Sequence, residues 1–147
     1  MAARLIDAGA VPDQLYKELY ENDSHGRLRL IGRALEHTRV ELGGRLIHSW
    51  LDAADFTESG ALPSDSEDII NMSLAVGGTE AAVILVEQPE GGFKISFRSR
   101  CRMDCSKVAE QFDGGGHAKA AGAFLKEPLD SAREKVLDAV RAAMTET

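Results

Sequence analysis

Phe93, Ile95 and Phe97 alternate with Lys94, Ser96 and Arg98. A period of two predicts a strand over Phe93–Ser99 with one buried and one polar face. Just upstream, Ala81 to Val86 is unbroken apolar sequence within a segment ending at Glu87, the pattern of a strand covered on both faces. Gln88 to Gly92 supplies the turn between them. Thr38–Leu42 and Arg45–Leu51 flank Gly43-Gly44 and predict an earlier hairpin. Gly122 to Lys126 reads as a last strand.

Between these segments the period lengthens to that of a helix. Met1–Ala8 is helical and ends at Gly9. A second helix starts at Pro12, a favoured first-turn position, and places Leu15 with Leu19 and Tyr16 with Tyr20. After the break at Asn22-Asp23-Ser24, Asp23 or Ser24 caps a third helix whose expected apolar stripe is Leu28, Ile31 and Leu35. Asp52–Gly60 reads as a short helix or turn. Ser64 and Glu67 stand at capping-box spacing after Pro63. Asp104–Phe112 carries Cys105, Val108, Ala109 and Phe112 on one face. Pro128 opens a final helix with Leu129, Ala132, Val136, Val140 and Ala143 turned inward. The expected fold class is therefore α/β, a mixed β-sheet with helices packed on it. Helix alone precedes the first strand, which sets an expected division into a helical connector over 1–39 and a sheet domain over 40–147.

The 147 residues carry a net charge of −7, the wrong sign for gripping long nucleic acid by charge alone. The charge is uneven: residues 98–119 sum to +2 and the remainder to −9. A local positive patch suits a small anion better than a duplex. No apolar run approaches the ~18 residues of a membrane span, and no signal segment opens the chain. Two cysteines, Cys101 and Cys105, are too few for a disulfide framework and fit a cytoplasmic protein.

The candidate chemistry gathers at Asp113-Gly114-Gly115-Gly116-His117. Consecutive glycines cost backbone entropy and mark a sharp bend or a close approach to a ligand. If His117–Ala121 forms a short helix, the glycines lead into its N-terminus, a natural anion site. Arg98, near the end of its strand, is placed to grip phosphate with its guanidinium fork, and His117 adds a donor. The bland alternatives are a solvated arginine, a capping histidine and a plain turn. Histidine and cysteine spacings match no metal site, and no strand–Gly-x-Ser-x-Gly–helix elbow supports a nucleophile. Asp65, Glu67 and Asp68 read first as acids at a helix start. No catalytic residue is therefore assigned.

At these residues the chain resembles a known family. Ser96-Phe97-Arg98-Ser99, Asp104-Cys105-Ser106-Lys107-Val108-Ala109 and Phe112-Asp113-Gly114-Gly115-Gly116-His117-Ala118-Lys119-Ala120-Ala121-Gly122-Ala123 are similar to the C-terminal DHHA1 domain of DHH-family phosphoesterases. Its kin are the oligoribonuclease and phosphoadenosine-phosphate phosphatase group, often labelled exopolyphosphatase-related. The likeness covers about residues 40–126. Ala2 to Ala10 also resembles the end of a preceding DHH domain, so the chain is expected to be the second half of a longer protein. The resemblance implies that the missing domain holds two divalent metals, usually manganese. This domain would hold the substrate, a short RNA or a phosphorylated nucleotide. Carried over by residue, Arg98 and Ser99 would contact phosphate or base, Gly114, Gly115, Gly116 and His117 would cradle the terminal phosphate, and Glu67 would line the same cleft. No Asp-His-His motif occurs in the chain, which is expected to be inactive alone. A stand-alone nucleic-acid-binding module and a purely structural domain are the alternatives.

Overall fold

A computed structural model describes Ile6 and residues 8–145. The helix expected over Met1–Ala8 falls mostly outside them. The elements run α1 (Pro12–Tyr20), α2 (His25–Glu36), β1 (Arg39–Glu41), β2 (Leu46–Leu51), α3 (Ala53–Ser59), α4 (Ile69–Leu74), β3 (Ala81–Glu87), β4 (Phe93–Ser99), α5 (Cys105–Glu110), β5 (Gly115–His117), β6 (Ala120–Leu125) and α6 (Leu129–Thr145). One-turn 3₁₀ segments at Leu42–Gly44 and Pro63–Ser66 join β1 to β2 and α3 to α4.

The six strands form one mixed sheet in the order β1-β2-β3-β4-β6-β5. Only β2 and β3 pair in parallel, because the intervening α3–α4 segment carries the chain back across the sheet. β3 lies at the centre and is buried from Ala81 to Val86, as its unbroken apolar run requires. β4 alternates as its sequence does, with Phe93, Ile95 and Phe97 at 5% exposure or less.

Helices cover the two faces unequally. On one face, α5 and α6 pack Cys105, Val108, Ala109, Val136 and Val140 against Val83, Leu85, Ile95 and Phe97. On the other, Leu30 and Ala34 of α2 and Ile69 and Ile70 of α4 pack on Leu51, Ala82, Ile84 and Val86. That second layer sits on β2 and β3. On the same face, β4, β6 and β5 present Lys94, Phe124, Gly115 and His117 to solvent.

Three local expectations are corrected. The buried residues of α2 are Leu30 and Ala34, whereas Leu28 is 66% and Leu35 50% exposed. The helix is rotated from the expected stripe because Gly26 must face the Gly60–Ala61 backbone: a Cβ there would lie 2.9 Å from the Gly60 carbonyl oxygen. Ser64 and Glu67 form no side-chain capping box. Asp65 instead takes the Leu62 amide on its carboxylate at 2.8 Å, and α4 begins later, after Asp68 in the left-handed region (φ 64°). His117–Ala121 is not a helix: Gly115–His117 is an edge strand that turns tightly into β6. The Ser24 cap does form, its hydroxyl accepting from the Arg27 amide at 3.0 Å.

Candidate functional site

The three glycines divide into two cases. β5 lies so close to β6 that a Cβ on Gly114 would sit 2.3 Å from the Gly122 carbonyl oxygen, and one on Gly116 2.6 Å from the Ala121 Cα. These two are glycine because backbone meets backbone. Gly115 has nothing within 4 Å of a built Cβ. Its bareness has no cause within the described chain, and it faces outward.

Register shows what it faces. Gly115 pairs with Gly122 and His117 with Ala120. Across β6, Gly122 pairs with Ser96 and Ala120 with Arg98. Directly paired residues share a face, so two rows result, Ser96–Gly122–Gly115 and Arg98–Ala120–His117. Their middle positions are glycine and alanine. The product is a shallow floor without bulk, walled by Arg98 and Ser96 on one side and His117 on the other. Arg98 and His117 are two strands apart, about 10 Å between backbones, a gap that two side chains and one phosphate fill.

The floor is tied down from beneath. The Gly114 amide donates to Ala109 O at 2.9 Å, Cys105 N to Ala118 O at 2.9 Å and Ser99 N to Lys119 O at 3.1 Å. The Lys119 ammonium donates to Cys101 O. The β5–β6 turn is thus fixed to the loop between β4 and α5, and Asp104 caps α5 by accepting from Ser106 N at 2.9 Å.

Beside Arg98 the floor deepens into a cavity of about 240 Å³, where Lys94, Ser96 and Arg98 face Glu67 and Asp68 over a base of Ile70, Ile84 and Val86. The Pro63–Asp68 segment forms the far wall as a strap. Arg27 of α2 holds it, its Nη1 donating to Asp65 O at 2.6 Å and Glu67 O at 3.2 Å. Arg98 itself is oriented by a bond from Nη1 to Phe97 O at 3.0 Å.

Of the residues singled out in the sequence, Arg98, Gly115 and His117 share this open face, and Glu67 lines its cavity. Gly114 and Gly116 set the strand's approach. Ser99 is turned to the opposite face, 4% exposed, where its hydroxyl donates to Cys101 O at 3.3 Å. Lys94 and Ser96 line the same cavity as Arg98; the sequence reading does not single them out for it, although their alternation with Arg98 is a signal that finds them. Asp68 reads in the sequence as a helix-start acid, and only the tertiary fold brings it to the cavity that Arg98 lines. Among the described residues no group of three or more His, Cys, Asp or Glu is arranged to hold a metal ion, and no helix is long and apolar enough to cross a membrane.

Comparison with known proteins gives a consistent picture. The family model of the DHHA1 domain matches residues 43–146. The chain is 37% identical over 118 residues to the bifunctional oligoribonuclease and PAP phosphatase NrnA of Thermus thermophilus, covering 80% of this chain and 35% of that protein. It thus spans about a third of that relative's length. Among solved structures, an exopolyphosphatase-related protein of Bacteroides fragilis superposes with a TM-score of 0.88 at 27% identity, over 96% of this chain and 42% of that one. The pGpG-specific phosphodiesterase PggH of Vibrio cholerae shares the fold, with a TM-score of 0.60 at 13% identity over 93% of this chain and 44% of that one.

Proposed function

The chain belongs to the DHHA1 domain family, and on that premise we propose that it is the substrate-holding part of a metal-dependent phosphoesterase acting on short oligoribonucleotides or small phosphorylated nucleotides. The observation that carries the reading is the pair of rows Ser96–Gly122–Gly115 and Arg98–Ala120–His117. They set a guanidinium and an imidazole around a floor stripped of side chains. A phosphate resting there takes charge-assisted bonds from Arg98, a donor from His117, and close contact with the Gly115 backbone. The neighbouring cavity suits the rest of a nucleotide: an apolar base of Ile70, Ile84 and Val86, with hydroxyl and carboxylate partners on its walls.

Among the described residues no His, Cys, Asp or Glu cluster fits a metal site, so no step is routed through one here. In this reading a DHH domain facing the open sheet supplies the metals, manganese by the family resemblance, and the chemistry. This chain binds and orients the phosphate. By itself it hydrolyses nothing, and metal-dependent phosphate release from 3′-phosphoadenosine 5′-phosphate by the pure chain would contradict that.

Titration with that nucleotide, following the amide signals of residues 114–117, tests the binding role. Saturable shifts centred on Gly115 and His117 are expected. Arg98→Ala should weaken binding roughly ten- to a hundredfold, the worth of a hydrogen bond to a charged group, while the thermal midpoint holds. Absence of shifts with the nucleotide and with a short RNA leaves a structural domain. Binding only to long RNA, falling steeply with salt, points to the nucleic-acid module instead.

A further inference from the structure

The open face of the sheet continues past the phosphate floor. Beyond the row Ser96–Gly122–Gly115 lies a third, in which Lys94 of β4 pairs with Phe124 of β6. Along β6 the residues on this face are Ala120, Gly122 and Phe124, two pared to almost nothing and then a phenyl ring. Phe124 is 51% exposed and, among the described residues, is the one exposed aromatic side chain carried by a strand. It belongs to neither hydrophobic core. A single exposed apolar residue needs no explanation by itself. What gives this one meaning is its place.

A Cβ built on Gly92 would lie 2.7 Å from Phe124 Cζ, so the ring rests over the β3–β4 turn in space that a side chain there would fill. Lys94 stands between the ring and the cavity beside Arg98. It lines that cavity with Ser96 and Arg98, and it is the cross-strand partner of Phe124, with Cβ atoms about 5 Å apart. Among the described residues no hydrogen bond or ion pair engages the Lys94 ammonium, which leaves it free to meet a phosphate. From the Arg98–Ala120 row to Phe124 is four residues of β6, about 13 Å. The order along the face is therefore Arg98 and His117 around a bare floor, then the cavity, a free ammonium and an aromatic ring. Single strands of nucleic acid are held by this alternation, phosphates on cations and bases on rings.

We propose that Lys94 and Phe124 form a subsite for a second nucleotide. With a terminal phosphate on the floor and the first nucleoside in the cavity, Lys94 pairs with the phosphodiester that follows and Phe124 stacks the next base. The proposal rests on the phosphate-floor reading and deepens it, because such a subsite selects chains of two or more nucleotides over single phosphorylated ones.

Two ligands isolate the ring. 3′-Phosphoadenosine 5′-phosphate carries two phosphates and one base, and 5′-phosphorylated diadenylate adds one nucleoside beyond the second phosphate. In isothermal titration calorimetry the dinucleotide should bind this chain about tenfold more tightly, the scale of one base stacked on an aromatic ring. Phe124→Ala and Phe124→Leu should each remove that gain and leave the mononucleotide unchanged, the second keeping apolar bulk against Gly92. Phe124→Trp should retain it. Arg98→Ala should weaken both ligands alike. Equal affinity of the two ligands for the unsubstituted chain overturns the subsite, as does a gain that survives both Phe124→Ala and Phe124→Leu. In either case the floor still stands if Arg98→Ala weakens the mononucleotide. Failure of both ligands to bind, or indifference of both to Arg98→Ala, overturns the floor and the subsite with it.

Discussion

Gly114 and Gly115 are chemically identical neighbours, yet substituting each with alanine should break different things. At Gly114 the new methyl would lie 2.3 Å from the Gly122 carbonyl oxygen and 2.7 Å from the Ala123 Cβ. Both belong to β6, which is hydrogen-bonded to β4 on its other side and cannot retreat. The strand β5 must lift instead, losing ladder bonds along its three residues and disturbing the Gly114 N–Ala109 O bond of 2.9 Å. Overpacking against backbone costs about 1–3 kcal/mol, and each lost net hydrogen bond about 1 kcal/mol more. A loss of about 3 kcal/mol is expected for Gly114→Ala. In a domain of this size that lowers the thermal midpoint by roughly 6–12 °C.

At Gly115 a methyl meets nothing within 4 Å, and φ is not in the left-handed region. The fold should tolerate it, even gaining a few tenths of a kcal/mol from a stiffer unfolded chain. But the methyl projects onto the floor between Arg98 and His117, where the proposed phosphate rests. Gly115→Ala should therefore keep its melting temperature within about 2 °C and lose nucleotide affinity about tenfold or more, a displacement of one close contact. The assay is paired: differential scanning fluorimetry for stability and titration with 3′-phosphoadenosine 5′-phosphate for binding. The reasoning is refuted if Gly115→Ala melts as early as Gly114→Ala. It is equally refuted if Gly115→Ala binds the nucleotide as tightly as the unsubstituted chain.

Arg27→Ala removes the two bonds at 2.6 and 3.2 Å that hold the Asp65–Glu67 strap; amide hydrogen exchange over residues 62–68 should speed up several-fold, with β3 unaffected. His48 is depressed mainly by burial, so the unfolded chain takes up a proton below about pH 6.5 that the folded chain refuses. Stability should thus fall as pH drops from about 6.5 toward the folded value of His48. A second loss should come below about pH 4.5, as Glu41 is protonated against the pull of Arg141. Urea melts of His48→Gln should lose the first slope and keep the second, and an unchanged slope would remove His48 as its source. Burial pushes the Cys105 thiol up to about 11, which leaves roughly one thiolate in a thousand at pH 8. Iodoacetamide should label half-buried Cys101 first, and equal rates in mass spectra would contradict the burial.

Strands wrote themselves plainly into this chain where one face is buried and the other wet, or where both are buried. The alternation from Phe93 to Ser99 and the apolar run from Ala81 were sufficient for β4 and β3 because burial acts at every second residue or at all of them. Arg98 was legible for the same reason. The segment His117–Ala121 misled because alanine and lysine favour helix locally, while the deciding force lies elsewhere. β6 needs a partner on its outer edge, and Gly114 and Gly116 allow a backbone close enough to provide it. No window of five residues contains that information. The α2 stripe failed similarly: Leu28 and Leu35 are as apolar as Leu30, and the choice among them is made by Gly26 against Gly60, more than thirty residues apart.

The change from helix to strand alters how the glycine run can hold an anion. A helix N-terminus would have drawn phosphate by its dipole, independent of side chains. An edge strand has no such dipole, so in the proposed reading the attraction comes from Arg98, Lys94 and His117, and the glycines contribute only room. It follows that affinity for phosphate should track the arginine closely and the salt concentration moderately, since few charges are involved. Binding that persisted undiminished in Arg98→Ala would require a backbone anion nest at Gly114–His117 after all. The geometry offers none: of the three glycines only Gly116 has a positive φ, at 149°, and alternating αR and αL residues are what a nest requires.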